Sequence, residues 1–178
     1  YGLIFCGSDL ESGAHAALLG SGLPCAQVGG GRALPGAMQV CSDDEAGLRR
    51  LAAHLWEQGH RKFGFIGQYT GAHQRRGAIL KSLLAERGEA MSHKAGVKAG
   101  LDSGYQAMCR LWDDPGRARL SAVIAADDVM AQTGLRALHE RGVRVPQEVS
   151  LAGIDDIPSA RMMIPALTTI RPPLREMA

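Results

Sequence analysis

Short apolar runs alternate with stretches of helical periodicity along this chain. The run Gly2-Leu3-Ile4-Phe5-Cys6 reads as a buried strand that ends at Gly7. Residues from about Leu10 to Leu19 follow as a helix, stopped by Gly20-Ser21-Gly22. Cys25 to Val28 reads as a second strand entered through Pro24, and Gly29–Gly36 as a loop. Ser42 and Glu45 have capping-box spacing ahead of Leu48, Leu51, Ala52, Leu55 and Trp56, which recur at helical intervals up to Gly59. Residues 61–67 form a strand with a basic entrance. The spacing predicts a helix from Arg75 to Arg87, with Leu80, Leu83 and Leu84 on one face and Gly88 as its stop. A short strand is expected at Ala95–Ala99 and a helix from Ser103 to Trp112. Residues 121–126, too short for a helix, give another strand, followed by a helix from Asp128 to Arg141 that ends at Gly142. Residues 148–154 form the last clear strand, and prolines keep 165–173 extended.

Strand–helix repetition at this spacing predicts an α/β fold built on parallel sheet with helices on its faces. In such open sheets, ligands sit beyond the carboxyl ends of the strands. The chemistry is therefore sought just after Cys6, Cys41, Gly67, Ala126 and Ile154.

Composition narrows the classes. The chain has 178 residues, 46% hydrophobic and 21% charged, with a net charge of +2. Those values fit a globular core and exclude a disordered or collagen-like chain. A nearly neutral, mixed charge argues against a surface built throughout for nucleic acid. No apolar run is long enough for a membrane helix, so no membrane partner is expected. The four cysteines have no close spacing, and the expectation is buried free thiols in a reducing compartment.

The motifs of common enzymes are missing. There is no P-loop, Gly29-Gly30-Gly31 lacks the last glycine of a dinucleotide fingerprint, and no nucleophile elbow is present. The six histidines show no metal pattern, and neither a metal nor another cofactor is expected. Polar residues at strand ends stand out instead. Asp43 and Asp44, Arg75 and Arg76, Asp127 and Asp128, and Asp155 and Asp156 each follow an apolar run. Carboxylates that accept two hydroxyl hydrogen bonds, beside a forked guanidinium, suit a polyhydroxylated ligand. The candidate contacts are Asp155, Asp127, Arg75, Arg76 and Asp44. Asp also favours helix N-caps, so capping is the alternative for Asp44 and the assignment for Asp128, while Asp156 reads as structural. Trp56 and Trp112 lie on helical stripes and read as core.

Three strings, "HLWEQGHRKFGFIG" (54–67), "AADDVMAQTGLRALHERGVRVPQEVSLAGIDD" (125–156) and "PALTTIRPPLREMA" (165–178), occur in the order found in the lactose/galactose-repressor family. The chain resembles the effector-binding core of those bacterial regulators, and the weaker pieces "YGLIFCG" and "SDDEAG" fit too. The resemblance implies a partial, two-lobed, type I periplasmic-binding-protein-like fold. Residues 1–67 are expected in the N-terminal lobe, 68–154 in the C-terminal lobe, and 155–178 on the return to the first. The family pattern places its effector-contacting Asn/Asp on Asp127 and its Asp on Asp155, and its first acidic position on Asp44. Its arginine, three residues before a glycine, falls on Gln74, so Arg75 or Arg76 is left to replace it or the contact is lost.

The function implied is a cytoplasmic, non-catalytic sensor. A sugar, related polyol or nucleoside would bind between the lobes of a homodimer and alter operator DNA binding through a headpiece outside these residues. The alternative is a periplasmic sugar-binding protein of a transporter. An enzyme using Asp127 and Asp155 as acid and base lacks a nucleophile, metal or cofactor.

Overall fold

The structure is a computed structural model that describes residues 1–6, 17, 20–29, 35–69, 71–115 and 119–177, with the side chain of residue 93 left aside. The expected helix at 10–19 and parts of the expected loops at 29–36 and 113–120 lie outside the described residues, apart from a helical Ala17.

Two parallel sheets are present among the described residues. The first joins β1 (Leu3–Cys6), β2 (Cys25–Val28) and β3 (Met38–Val40) in that order. The second takes its strands from the rest of the chain: β4 (Phe63–Gln68), β5 (Met91–Val97), β6 (Ala122–Ala125), β7 (Ser150–Ile154) and β8 (Thr168–Ile170). Its order is β5-β4-β6-β7-β8. The division expected at 67/68 therefore runs through a sheet. β4 pairs with both β5 and β6, and β8, expected on the return to the first lobe, pairs with β7. The strand boundary falls between β3 and β4, because β4, buried from Phe63 to Gly67, and the fully buried β6 hide both faces only as inner strands of one sheet.

Helices cover both faces of the larger sheet. They are α1 (Asp44–Glu57), α2 (Gly71–Ala85), α3 (Ser103–Asp113) and α4 (Asp128–Glu140), and a short α5 (Leu174–Met177) follows β8. Alternation along β4 decides what meets what. Phe63 stacks on Trp56 of α1, with ring centroids 5.8 Å apart, and the Phe65 ring lies against Gly77 of α2. Gly64 and Ile66 point the other way, toward Leu111 of α3 and Gly134 of α4. Phe63, Phe65, Leu48, Leu80, Met108, Leu111 and Leu138 are all fully buried, so one core holds both helical layers. Each large side chain contributes about 2–3 kcal/mol on burial. Trp56 and Trp112 are partly buried against this core, in line with their helical stripes.

Local signals explain most boundaries. At Gly59 (φ +88°) and Gly142 (φ +68°) a left-handed residue lets the chain turn back, and the next amide bonds five residues upstream: His60 N–H to the Leu55 carbonyl and Val143 N–H to the Leu138 carbonyl. Starts are less legible. α2 begins at Gly71, four residues before the expected Arg75. β5 spans Met91–Val97, earlier than the expected Ala95–Ala99. The thiols also differ from expectation. All four cysteines are free, but Cys6 and Cys41 are exposed and Cys25 and Cys109 half-buried.

Candidate effector site

The carboxyl ends of β4, β6 and β7 lie side by side in the sheet, and α1 begins nearby. Each supplies part of one polar cluster. Asp44 sits at the first position of α1. Arg75 and Arg76 come from the second turn of α2, which leaves β4. Asp127 follows β6, and Asp155 follows β7.

Arg76 is the hub. Its side chain is 13% exposed. Its Nε donates to Asp44 Oδ2 at 3.2 Å, and Nη1 donates to the Ala126 carbonyl at 2.6 Å. Nη2 lies 3.5 Å from Asp155 Oδ1. A second guanidinium, Arg75, donates to Asp44 Oδ2 at 2.9 Å. Asp44 has only 6% of its side chain exposed. Burial alone would push its carboxyl up. Arg76 and Arg75 outweigh that and hold it below the ordinary carboxylate value. All five residues expected from the sequence thus meet at one sheet edge. Between the two arginines the deeper position belongs to Arg76.

Asp127 has two tasks. As the N-cap of α4 it accepts the Met130 N–H on Oδ1 at 2.6 Å. Its Oδ2 lies 3.2 Å from His73 Nε2. The Gln68 amide donates to His73 Nδ1 at 3.1 Å. With Nδ1 accepting from Gln68, Nε2 is the nitrogen that donates to Asp127. Burial pushes the Asp127 carboxyl up, but the bonds from His73 and Met130 leave it below the ordinary value. The backbone near Gln68 is tied in further, since Gln68 Nε2 donates to Ser103 Oγ at 2.8 Å.

Asp155 is the least satisfied member. Its side chain is 38% exposed, and its carboxyl is pushed up to about 6. Burial is the main cause. Arg76 and His73 pull the value down, while Asp127 and Asp128 raise it. Its φ of +113° is a conformation that L residues rarely adopt, and Asp156 follows at φ +49°.

Capping is distributed differently from the sequence expectation. Asp43, not Ser42, caps α1, accepting the Ala46 N–H at 2.9 Å, while Ser42 Oγ donates to Asp44 Oδ1 at 3.2 Å. Asp127, not Asp128, caps α4. Asp128 is completely buried and bonds to the loop after β7. His73 was outside the expected set, because its partner is 54 positions away and no local spacing marks it. Asp156 is held by Arg171 and by Arg161 at 3.7 Å, consistent with a structural role.

A cavity of about 790 Å³ borders the cluster between α1 and β8, lined by Asp44, Arg50, His54, Asp156 and Arg171 among others. Among the described residues, no group of three or more His, Cys, Asp or Glu is placed to hold a metal ion.

The periplasmic binding protein-like domain model matches residues 52–178. The chain belongs to that family. Among its relatives is the HTH-type transcriptional regulator AscG of Escherichia coli K12, 37% identical over 132 residues, which cover 70% of this chain and 38% of AscG. The HTH-type transcriptional repressor PurR of Shigella dysenteriae is 39% identical over 129 residues, covering 67% of this chain and 36% of PurR. A LacI-family sugar-binding transcriptional regulator from Escherichia coli, solved with phosphate, superposes with a TM-score of 0.81 at 28% identity, over 98% of this chain and 64% of that one. The domain is thus related to LacI-type regulators, and it spans well under half the length of the two curated relatives. No described helix is long and apolar enough to cross a membrane.

Proposed function

We propose that the chain is part of the effector-sensing core of a bacterial transcription regulator. A small polyhydroxylated ligand, a sugar, polyol or nucleoside, binds at the carboxyl edge of the larger sheet. Asp155 and Asp127 accept its hydroxyls, while Arg76, Arg75 and Asp44 hold the floor of the site. The observation that carries this reading is the meeting of these five side chains at one sheet edge, in a domain whose relatives are transcription regulators. The two sheets serve as the two lobes, and the ligand favours one lobe angle over the other. The effect on operator DNA is then limited by the ligand's differential affinity for the two states. DNA contact is assigned to a headpiece outside the described residues.

The protein works in the cytoplasm, without catalysis and as a homodimer. The dimer has a candidate surface. Met162 and Ile164 are exposed at 78% and 93%, beside a cavity of about 710 Å³ lined by Leu135, Val143 and Val145. Exposed apolar side chains grouped in this way mark association surfaces. The alternative of a transporter's periplasmic binding protein has the same fold, but the curated relatives favour the regulator.

The test is a thermal-shift screen of neutral sugars, polyols, sugar acids and nucleosides. A ligand specific to the native state raises the melting temperature with concentration, by the equivalent of about 2.7 kcal/mol at a hundredfold excess over Kd. Neutral hydroxyl-rich compounds are expected to stabilise the protein. Stabilisation by inorganic phosphate alone would contradict the ligand class.

A further inference from the structure

We propose that Asp128 and Thr169 are positioning residues that hold Asp155 in its half-buried, left-handed conformation at the ligand edge. The proposal rests on the reading of Asp155 as an effector contact, and it concerns residues outside the set expected from the sequence.

Three successive amides after β7 are each caught by a different acceptor. Asp155 N–H donates to the Ile170 carbonyl at 2.8 Å. Asp156 N–H donates to Thr169 Oγ1 at 3.3 Å, and Ile157 N–H donates to Asp128 Oδ2 at 3.0 Å. The Thr169 hydroxyl passes its own proton to Asp128 Oδ1 at 2.6 Å. Thr169 is thus acceptor for the loop and donor to the acid, and Asp128 receives from both. One buried carboxylate ties the start of α4 to β8 and to the loop carrying Asp155.

Packing says the same. A Cβ on Gly153 would run into the Asp128 carboxylate, and Leu167 Cδ2 would lie 3.0 Å from it. The space above β7 is therefore given over to this acid, and only glycine at 153 leaves it open. An unpartnered carboxyl at zero exposure would be costly, and its two donors offset that cost. Two consecutive left-handed non-glycine residues persist only when their surroundings over-determine them. The three captured amides are that constraint, and two of the three depend on Thr169 or Asp128.

The experiment is a ¹³C-carboxyl NMR titration of the whole chain without ligand, comparing wild type, Thr169→Val and Thr169→Ser. Valine keeps the shape of Thr169 and removes its hydroxyl. Freed of one anchor, the Asp155 carboxyl gains water, and its titration midpoint falls from near 6 toward the ordinary carboxylate range, by about half a pH unit or more. Thr169→Ser retains the hydroxyl and is expected to titrate as wild type. A Thr169→Val midpoint equal to wild type would overturn the proposal, and so would a Thr169→Ser midpoint displaced as far as that of the valine variant. No ligand enters this readout, so a failure of the effector reading is scored separately, by ligand binding to Asp155 variants.

Discussion

Asp155→Asn is expected to lose effector binding while making the ligand-free protein more stable at neutral pH. The carboxyl of Asp155 is pushed up to about 6 because burial outweighs the help it receives from Arg76 and His73, with Asp127 and Asp128 adding repulsion. Its folded value lies above the ordinary carboxylate value of 3.8. The folded state therefore binds the proton more readily than the unfolded chain between those two values, and wild-type stability falls as pH rises through that window. Above pH 6 the cost of the ionised carboxylate is fully present. Asparagine removes the charge and tolerates the positive φ. Melting curves should place Asp155→Asn above wild type at pH 7.5, with the gap closing as pH falls from 6 toward 4. The ligand sees the opposite side of the same trade. Hydrogen bonds to a charged group are worth about 1.5–3 kcal/mol, so the variant should bind about a hundredfold more weakly. Wild-type affinity should itself fall below pH 6, as the acceptor is protonated. Unchanged affinity in the variant would remove Asp155 from the site.

Arg76→Met is expected to be the most damaging single change to stability in the cluster, costing about 3 kcal/mol. Arg76 is 13% exposed and joins Asp44, the Ala126 carbonyl and Asp155. Removing it leaves Asp44, 6% exposed, with Arg75 as its remaining charged partner. The Ala126 carbonyl loses the guanidinium that holds it at 2.6 Å. For a chain of this size, that cost corresponds to a drop of about 6–12 °C in Tm. The sign with pH is distinctive. Without Arg76, burial raises the Asp44 value, so the extra instability is present at neutral pH and fades as acid protonates the group. Adding Asp44→Asn to Arg76→Met should recover part of the loss. A drop in Tm that does not change with pH would mean that Arg76 acts through packing alone.

The parts of this site are unequally legible in the sequence. Apolar runs end abruptly at Ala126 and Ile154, and acids follow at once, so the places of Asp127 and Asp155 could be read directly. The arginine pair could be located but not ranked, since the facing direction of neighbouring helical residues depends on where the helix starts. α2 starts at Gly71, and that phase puts Arg76 inside. The caps are ambiguous in the sequence for a related reason. Ser42, Asp43 and Asp44 are all good capping residues, as are Asp127 and Asp128, and only the first turn of backbone selects among them. His73 and Thr169 act through partners 54 and 41 positions away, which one-dimensional periodicity does not register. The place of β4 is not legible in the sequence, because β4 carries the same apolar pattern whichever sheet it joins. Its neighbours β5 and β6 settle that in three dimensions.

The proposed ligand site is the carboxyl edge of β4, β6 and β7. The most direct test maps amide chemical-shift changes on the ¹⁵N-labelled chain as the strongest stabiliser from the thermal screen is added. The largest changes are expected on Gln68, His73, Arg76, Asp127 and Asp155. Changes confined to the cavity beside Leu135 and Ile164, with those five amides still, would contradict it.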